Sequence, residues 1–229
     1  MCMLCFEWWA FELLAIFSGL LSVGDLAAEV VIINIITFIF MIPLGISYSA
    51  SGLVGSSLGE GNIGLAHRYA VITVSINIIL TSIVVLCLGL LQHQVAELFT
   101  KEENIVKIVK NAMWVLLIYI WFDTIHGVQS GIIRGLNLQF RGAILTLVCY
   151  YVLGMPLALV FAFVCRWGIM GLWAGFTIAC VILDIGLFMI IYCPDWQKIS
   201  DNVKDALKAS QHAATNAVAD YRVNYTPEN

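Results

Sequence analysis

The sequence predicts an all-α integral membrane protein, a six-transmembrane-helix bundle with little chain outside it. Three observations carry that reading. Of 229 residues, 61% are hydrophobic and 11% charged, against roughly 45–50% and about 25% in an ordinary soluble domain. The charges are segregated: five of the fifteen acids follow Pro194, and most others fall in short breaks between apolar runs. Those runs repeatedly reach about 20 residues, the length a helix needs to cross a hydrocarbon core of roughly 30 Å.

The first span is expected over about 3–22, interrupted only by Glu7 and Glu12. Val23-Gly24-Asp25 breaks the chain before a second span at about 27–49. That span ends in a small-residue segment, with Gly59-Glu60-Gly61-Asn62 as a turn. The third, about 70–91, is nearly pure Ile, Val and Leu with Ser75 and Asn77. Residues 93–113 alternate Glu97, Lys101, Glu102, Glu103, Lys107 and Lys110 with apolar side chains, the pattern of an interfacial amphipathic stretch. The fourth span, about 112–133, carries Asp123, and the fifth, about 142–164, contains Pro156. A proline is tolerated there when neighbouring helices re-satisfy the freed carbonyl. The sixth, about 168–192, contains Asp184. Residues 1–194 form one transmembrane lobe. The polar, Ala-rich 195–229 is expected to be a cytoplasmic tail, one short amphipathic helix followed by disorder.

Basic residues set the orientation. With tail and Met1 on the cytoplasmic side, the inner face holds seven (Arg68, Arg134, Arg141, Lys198, Lys204, Lys208, Arg222) and the outer face four (Lys101, Lys107, Lys110, Arg166). Met1 opens directly into an apolar helix, so no secretory signal is expected. The seven cysteines are scattered through apolar stretches. Cys2 and Cys5 have CxxC spacing without a second pair, so buried small hydrophobes are the better reading than a metal site or a disulfide framework. Catalytic motifs of the HExxH and Walker types are missing, which argues against an enzyme. No cofactor, metal or nucleic-acid partner is indicated; the lipid bilayer is the solvent.

An acid inside a membrane is a functional-site hypothesis by default. Asp123 is the strongest candidate. Tyr119, Asp123, His126, Gly127, Ser130 and Arg134 fall along one face of the fourth span, a polar stripe roughly four turns long that could line a wet cavity. A carboxyl there could bind and release a proton near physiological pH, or hold a cation when ionised. A structural interhelical hydrogen-bond cluster is the alternative. Glu7 and Glu12, five residues apart, differ by about 140° around the helix and cannot share a face. Glu7 beside Trp8 and Trp9 also fits an interfacial aromatic belt. Asn34 and Thr37 form a smaller polar pair in the second span, Asn77 fits interhelical packing, and Asp184 has no partner in its own span. Asp25 and Glu29 fall near a membrane edge and weigh less. His67, His93 and His212 are assigned no role. Without a nucleotide site, uphill transport would draw on an ion gradient.

Five segments in order over about 5–197 resemble the multidrug and toxic compound extrusion (MATE) family, in its eukaryotic branch. Cys5-Phe6-Glu7-Trp8-Trp9-Ala10-Phe11-Glu12 resembles the start of that family's seventh helix. Met41-Ile42-Pro43-Leu44-Gly45-Ile46-Ser47, running on to Leu58-Gly59-Glu60-Gly61-Asn62, resembles the end of its eighth. Gly127-Val128-Gln129-Ser130-Gly131-Ile132-Ile133-Arg134-Gly135 resembles the tenth, Tyr150-Tyr151-Val152-Leu153-Gly154-Met155-Pro156 the eleventh, and Gly168-Ile169-Met170-Gly171-Leu172-Trp173 the start of the twelfth.

The resemblance implies the C-terminal lobe of a twelve-helix antiporter that exports organic cations, drugs or other xenobiotics and metabolites in exchange for protons, with sodium as the alternative ion. It places proton- or cation-binding acids on Glu7, Glu12 and Asp123. The cavity lining is expected from Asn34, Thr37, Tyr119, His126 and Ser130. Asn34 stands where animal members carry a titrating glutamate, which shifts coupling to Glu7 and Asp123. A missing N-terminal lobe, as in a truncated gene model or a split gene, or a homodimer partner would complete the cavity. A competing expectation is a half-length membrane protein that dimerises with or regulates full-length transporters without transporting. The plasma membrane and vacuolar or vesicular membranes suit the sequence equally.

Overall fold

The computed structural model of the protein describes residues 2–193 and 196–201. A chain in lipid must satisfy its backbone polar groups internally, and the described residues are almost entirely helical. The order is α1 (Cys2–Leu21), α2 (Val23–Gly59), α3 (Ile63–Leu90), α4 (Gln92–Phe99), α5 (Glu103–Gly135), α6 (Gln139–Leu147), α7 (Met155–Leu159) and α8 (Ile169–Tyr192). Wide π-helical turns at Val148–Gly154 and Val160–Val164 join α6 and α7 into one long helix, 139–164. Among the described residues, six helices are long and apolar enough to cross a membrane. The protein is a multi-pass integral membrane protein, and the large apolar side chains of Phe38, Leu86, Trp114 and Val164 are exposed on its surface.

Local chemistry sets the helix boundaries. Ser22 caps α2: its hydroxyl accepts from the Asp25 N–H at 2.9 Å and donates to the Asp25 carboxylate at 2.7 Å. Asp25 therefore serves the helix start, where a negative charge also complements the dipole. α2 is 37 residues long, about 55 Å at the α-helical rise. The small-residue segment expected after residue 49 is helical through Gly59, and the chain turns only at Glu60 and Gly61. Gly61 adopts φ 80° there, and the Asn62 side chain accepts from the Leu65 N–H to start α3.

The expected interfacial stretch at 93–113 is divided: α4 covers its beginning, Lys101 lies in the link that follows, and Lys107 and Lys110 lie in the opening turns of the 33-residue α5. Pro156 sits between the two π-helical turns, where the Met155 N–H reaches back to the Tyr150 carbonyl. The helix itself widens around a residue that has no N–H to give. Of the expected tail, residues 196–201 are helical; Asp195 and residues 202–229, including His212, lie outside the described residues.

α5 is the central helix, packed on α2, α3 and α8. Small residues permit the closest approaches, as in other membrane helix pairs. α5 turns Gly127, Gly131 and Gly135 toward α2, and a Cβ at Gly131 would collide with the Ser47 carbonyl oxygen. α8 does the same toward 139–164, where a Cβ at Gly175 would collide with the Ala158 nitrogen.

Candidate functional site

Helical periodicity puts Tyr119, Asp123, His126 and Ser130 on one stripe of α5. All four are buried. The Tyr119 hydroxyl donates to Asp123 Oδ1 at 3.0 Å, and Ser130 Oγ lies 3.5 Å from His126 Nε2. Glu7 of α1 reaches the same place: its Oε2 is 3.7 Å from His126 Nε2, and the residue is 3% exposed. Glu7 and Asp123 line one narrow cleft of about 20 Å³, walled by Trp8, Phe11, Phe40 and Trp173 with Thr37 on the α2 side. Behind it, Phe11, Tyr119, Trp173 and Phe176 pack ring against ring, with Tyr119 and Trp173 centroids 5.0 Å apart. Two carboxyls thus share an aromatic-walled cleft inside the span, with a hydroxyl and an imidazole as their polar neighbours. That arrangement can take up a proton or attract a positive charge.

The structure separates other expected residues from this cluster. Glu12 is exposed on α1, as the angle of about 140° from Glu7 requires. Asn34 does not line the cleft: it is exposed, and its amide donates to the Val30 carbonyl one turn back at 2.7 Å. The polar stripe of α5 also divides. Gly127 and Arg134 lie toward α2, where Ser47 Oγ donates to the Gly127 carbonyl at 2.6 Å and accepts from Arg134 at 2.8 Å. Asp184 is buried with neither carboxyl oxygen hydrogen-bonded. Asn77 is fully buried on α3.

Glu29, read from the sequence as lying near a membrane edge, is fully buried and accepts from Trp173 Nε1 at 2.8 Å. No signal within its own span reveals this, because the partner is 144 residues away. Trp173 is likewise legible only as an apolar residue of α8. No group of three or more His, Cys, Asp or Glu side chains that could hold a metal occurs among the described residues.

Comparison with known proteins decides the family. The MatE family model matches residues 1–160. The chain belongs to the MatE family. It is 37% identical over 199 residues to "Multidrug and toxin extrusion protein 1" of Danio rerio, covering 86% of this chain and 34% of that protein. It is 35% identical over 205 residues to "Multidrug and toxin extrusion protein 2" of Homo sapiens, covering 89% and 34%. The chain therefore spans about a third of the length of these relatives. Among solved structures, the eukaryotic MATE transporter AtDTX14 superposes with a TM-score of 0.86 at 28% identity, covering 90% of this chain and 46% of that one. A MATE transporter of Vibrio cholerae shares the fold, with a TM-score of 0.79 at 20% identity over 85% and 44% of the two chains. The six-helix bundle of this MatE chain thus matches just under half of a MATE transporter.

Proposed function

We propose that this MatE chain supplies the ion-coupling lobe of an antiporter that exports organic cations or related xenobiotics in exchange for protons. One observation carries the reading: Glu7 and Asp123, from different helices, line the same buried aromatic cleft. The relatives named above as multidrug and toxin extrusion proteins support the transport class. Ionised, the two carboxyls attract a cation, and the rings of Trp8, Phe11 and Trp173 offer it a π-face. Protonated, they no longer attract it. A proton and an organic cation therefore compete for one site, and that competition links the two fluxes. His126 beside Glu7 and the Tyr119 hydroxyl on Asp123 position the two carboxyls.

The test is equilibrium binding of radiolabelled tetraethylammonium to the purified chain in nanodiscs, at about pH 8 and about pH 5. The expected result is binding at the higher pH that weakens at the lower one, with loss in Glu7→Gln and Asp123→Asn. Binding of equal strength at both values, or undiminished in both variants, overturns the reading.

A further inference from the structure

Glu29 is outside the Glu7–Asp123 cleft, and the function proposed above does not use it. It sits where α1 and α8 meet α2, fully buried. One carboxyl oxygen accepts from Trp173 Nε1 at 2.8 Å. The other has no hydrogen-bond partner, and neither has the hydroxyl of Ser18 on α1, which stands beside the carboxyl. Lys101 before α5, Lys107 and Lys110 on α5 and Arg166 before α8, the basic groups toward this end of the bundle, are exposed, and Asp25 is engaged by Ser22. Trp173 and Ser18 are the polar groups that bear on Glu29. Both of its charge states find partners there. Ionised, it accepts from Trp173 and can accept from Ser18; protonated, its O–H can donate to the Ser18 oxygen.

Trp173 connects this acid to the cleft. Its indole forms part of the cleft wall and meets Tyr119 edge-on at 5.0 Å, and Tyr119 donates to Asp123. Ile33, one turn along α2 from Glu29, also lines the cleft. We propose that Glu29 is a second proton-binding residue, a positioning residue whose charge sets the Trp173 indole that walls the Glu7–Asp123 cleft. The proposal rests on the reading of that pair as the proton- and cation-binding site. In the step itself an O–H bond forms at Glu29 Oε1 as a hydronium gives up its proton to become water. The bond from Trp173 Nε1–H then weakens, because its acceptor is no longer charged.

Glu29→Gln tests this in the full chain in nanodiscs, because the amide keeps an acceptor for Trp173 at nearly unchanged size while removing the charge and its titration. Infrared difference spectra between about pH 5 and about pH 8 should contain a protonated-carboxyl band that Glu29→Gln removes and that Glu7→Gln and Asp123→Asn retain. Ser18→Ala should shift that band in frequency. The share of the pH-dependent tryptophan emission change that Trp173→Phe abolishes should vanish in Glu29→Gln as well. A Glu29→Gln variant that retains both the band and the emission change overturns the proposal, as does a band unmoved by Ser18→Ala. Should the Glu29 band be present while wild-type chain binds no tetraethylammonium at either pH, Glu29 stands as a proton site and the antiport reading fails.

Discussion

At the residue scale, the site rests on carboxyls that share a cleft without a basic lysine or arginine among the side chains that line it. Removing either charge should therefore act on binding more than on folding. Glu7→Gln and Asp123→Asn are each expected to weaken tetraethylammonium binding at least tenfold at about pH 8, the equivalent of about 1.4 kcal/mol, as read by equilibrium binding. Tyr119→Phe removes one hydrogen bond to Asp123 and should weaken binding roughly fivefold, in line with about 1 kcal/mol for such a bond. Tyr119, Asp123, His126 and Ser130 were legible as a stripe because one helix holds them at three- and four-residue spacing. Glu7 was legible as an intramembrane acid, although its partners on α5 follow from no local pattern. Asn34 read as polar and intramembrane, but only the packing of α2 shows that it faces outward. Glu29 read as marginal because its position near the start of α2 conceals that Trp173 of α8 covers it.

At the element scale, the number and order of helices follow from apolar length, and their ends follow less directly. Hydropathy fades wherever Ser and Gly accumulate, as after residue 49, yet those small residues let α2 continue helical against α5. The charges of Glu103, Lys107 and Lys110 lower hydropathy in the same way over the first turns of α5. The glycine faces yield a direct test. Gly131→Leu would push a side chain into the Ser47 backbone and should destabilise the chain by at least the about 1–3 kcal/mol typical of overpacking. Gly45 has open space around it, so Gly45→Ala should change stability by no more than about 0.5 kcal/mol. Thermal unfolding in detergent compares the two. Equal melting temperatures would contradict the packing described here.

At the scale of the whole molecule, one six-helix bundle carries a cleft with an acidic, aromatic interior, and this MatE chain covers about a third of its curated relatives. Orientation belongs to this scale. The excess of Lys and Arg on one side predicts that an epitope inserted at Glu60–Gly61 is reached by antibody only after permeabilisation, while one inserted at Lys101–Glu102 is reached in intact cells. The reverse accessibility would contradict the assigned topology. The central claim is that proton and organic cation compete for Glu7 and Asp123, and proton counting tests it most directly. Tetraethylammonium is added to the purified chain in weak buffer near the midpoint of its binding–pH curve, and a pH-indicating dye reports the protons released. Competition predicts up to about one proton released per cation bound, and none from the Glu7→Gln, Asp123→Asn double variant. Saturable cation binding with no proton release, or release displaced by sodium instead, would contradict proton coupling at this pair.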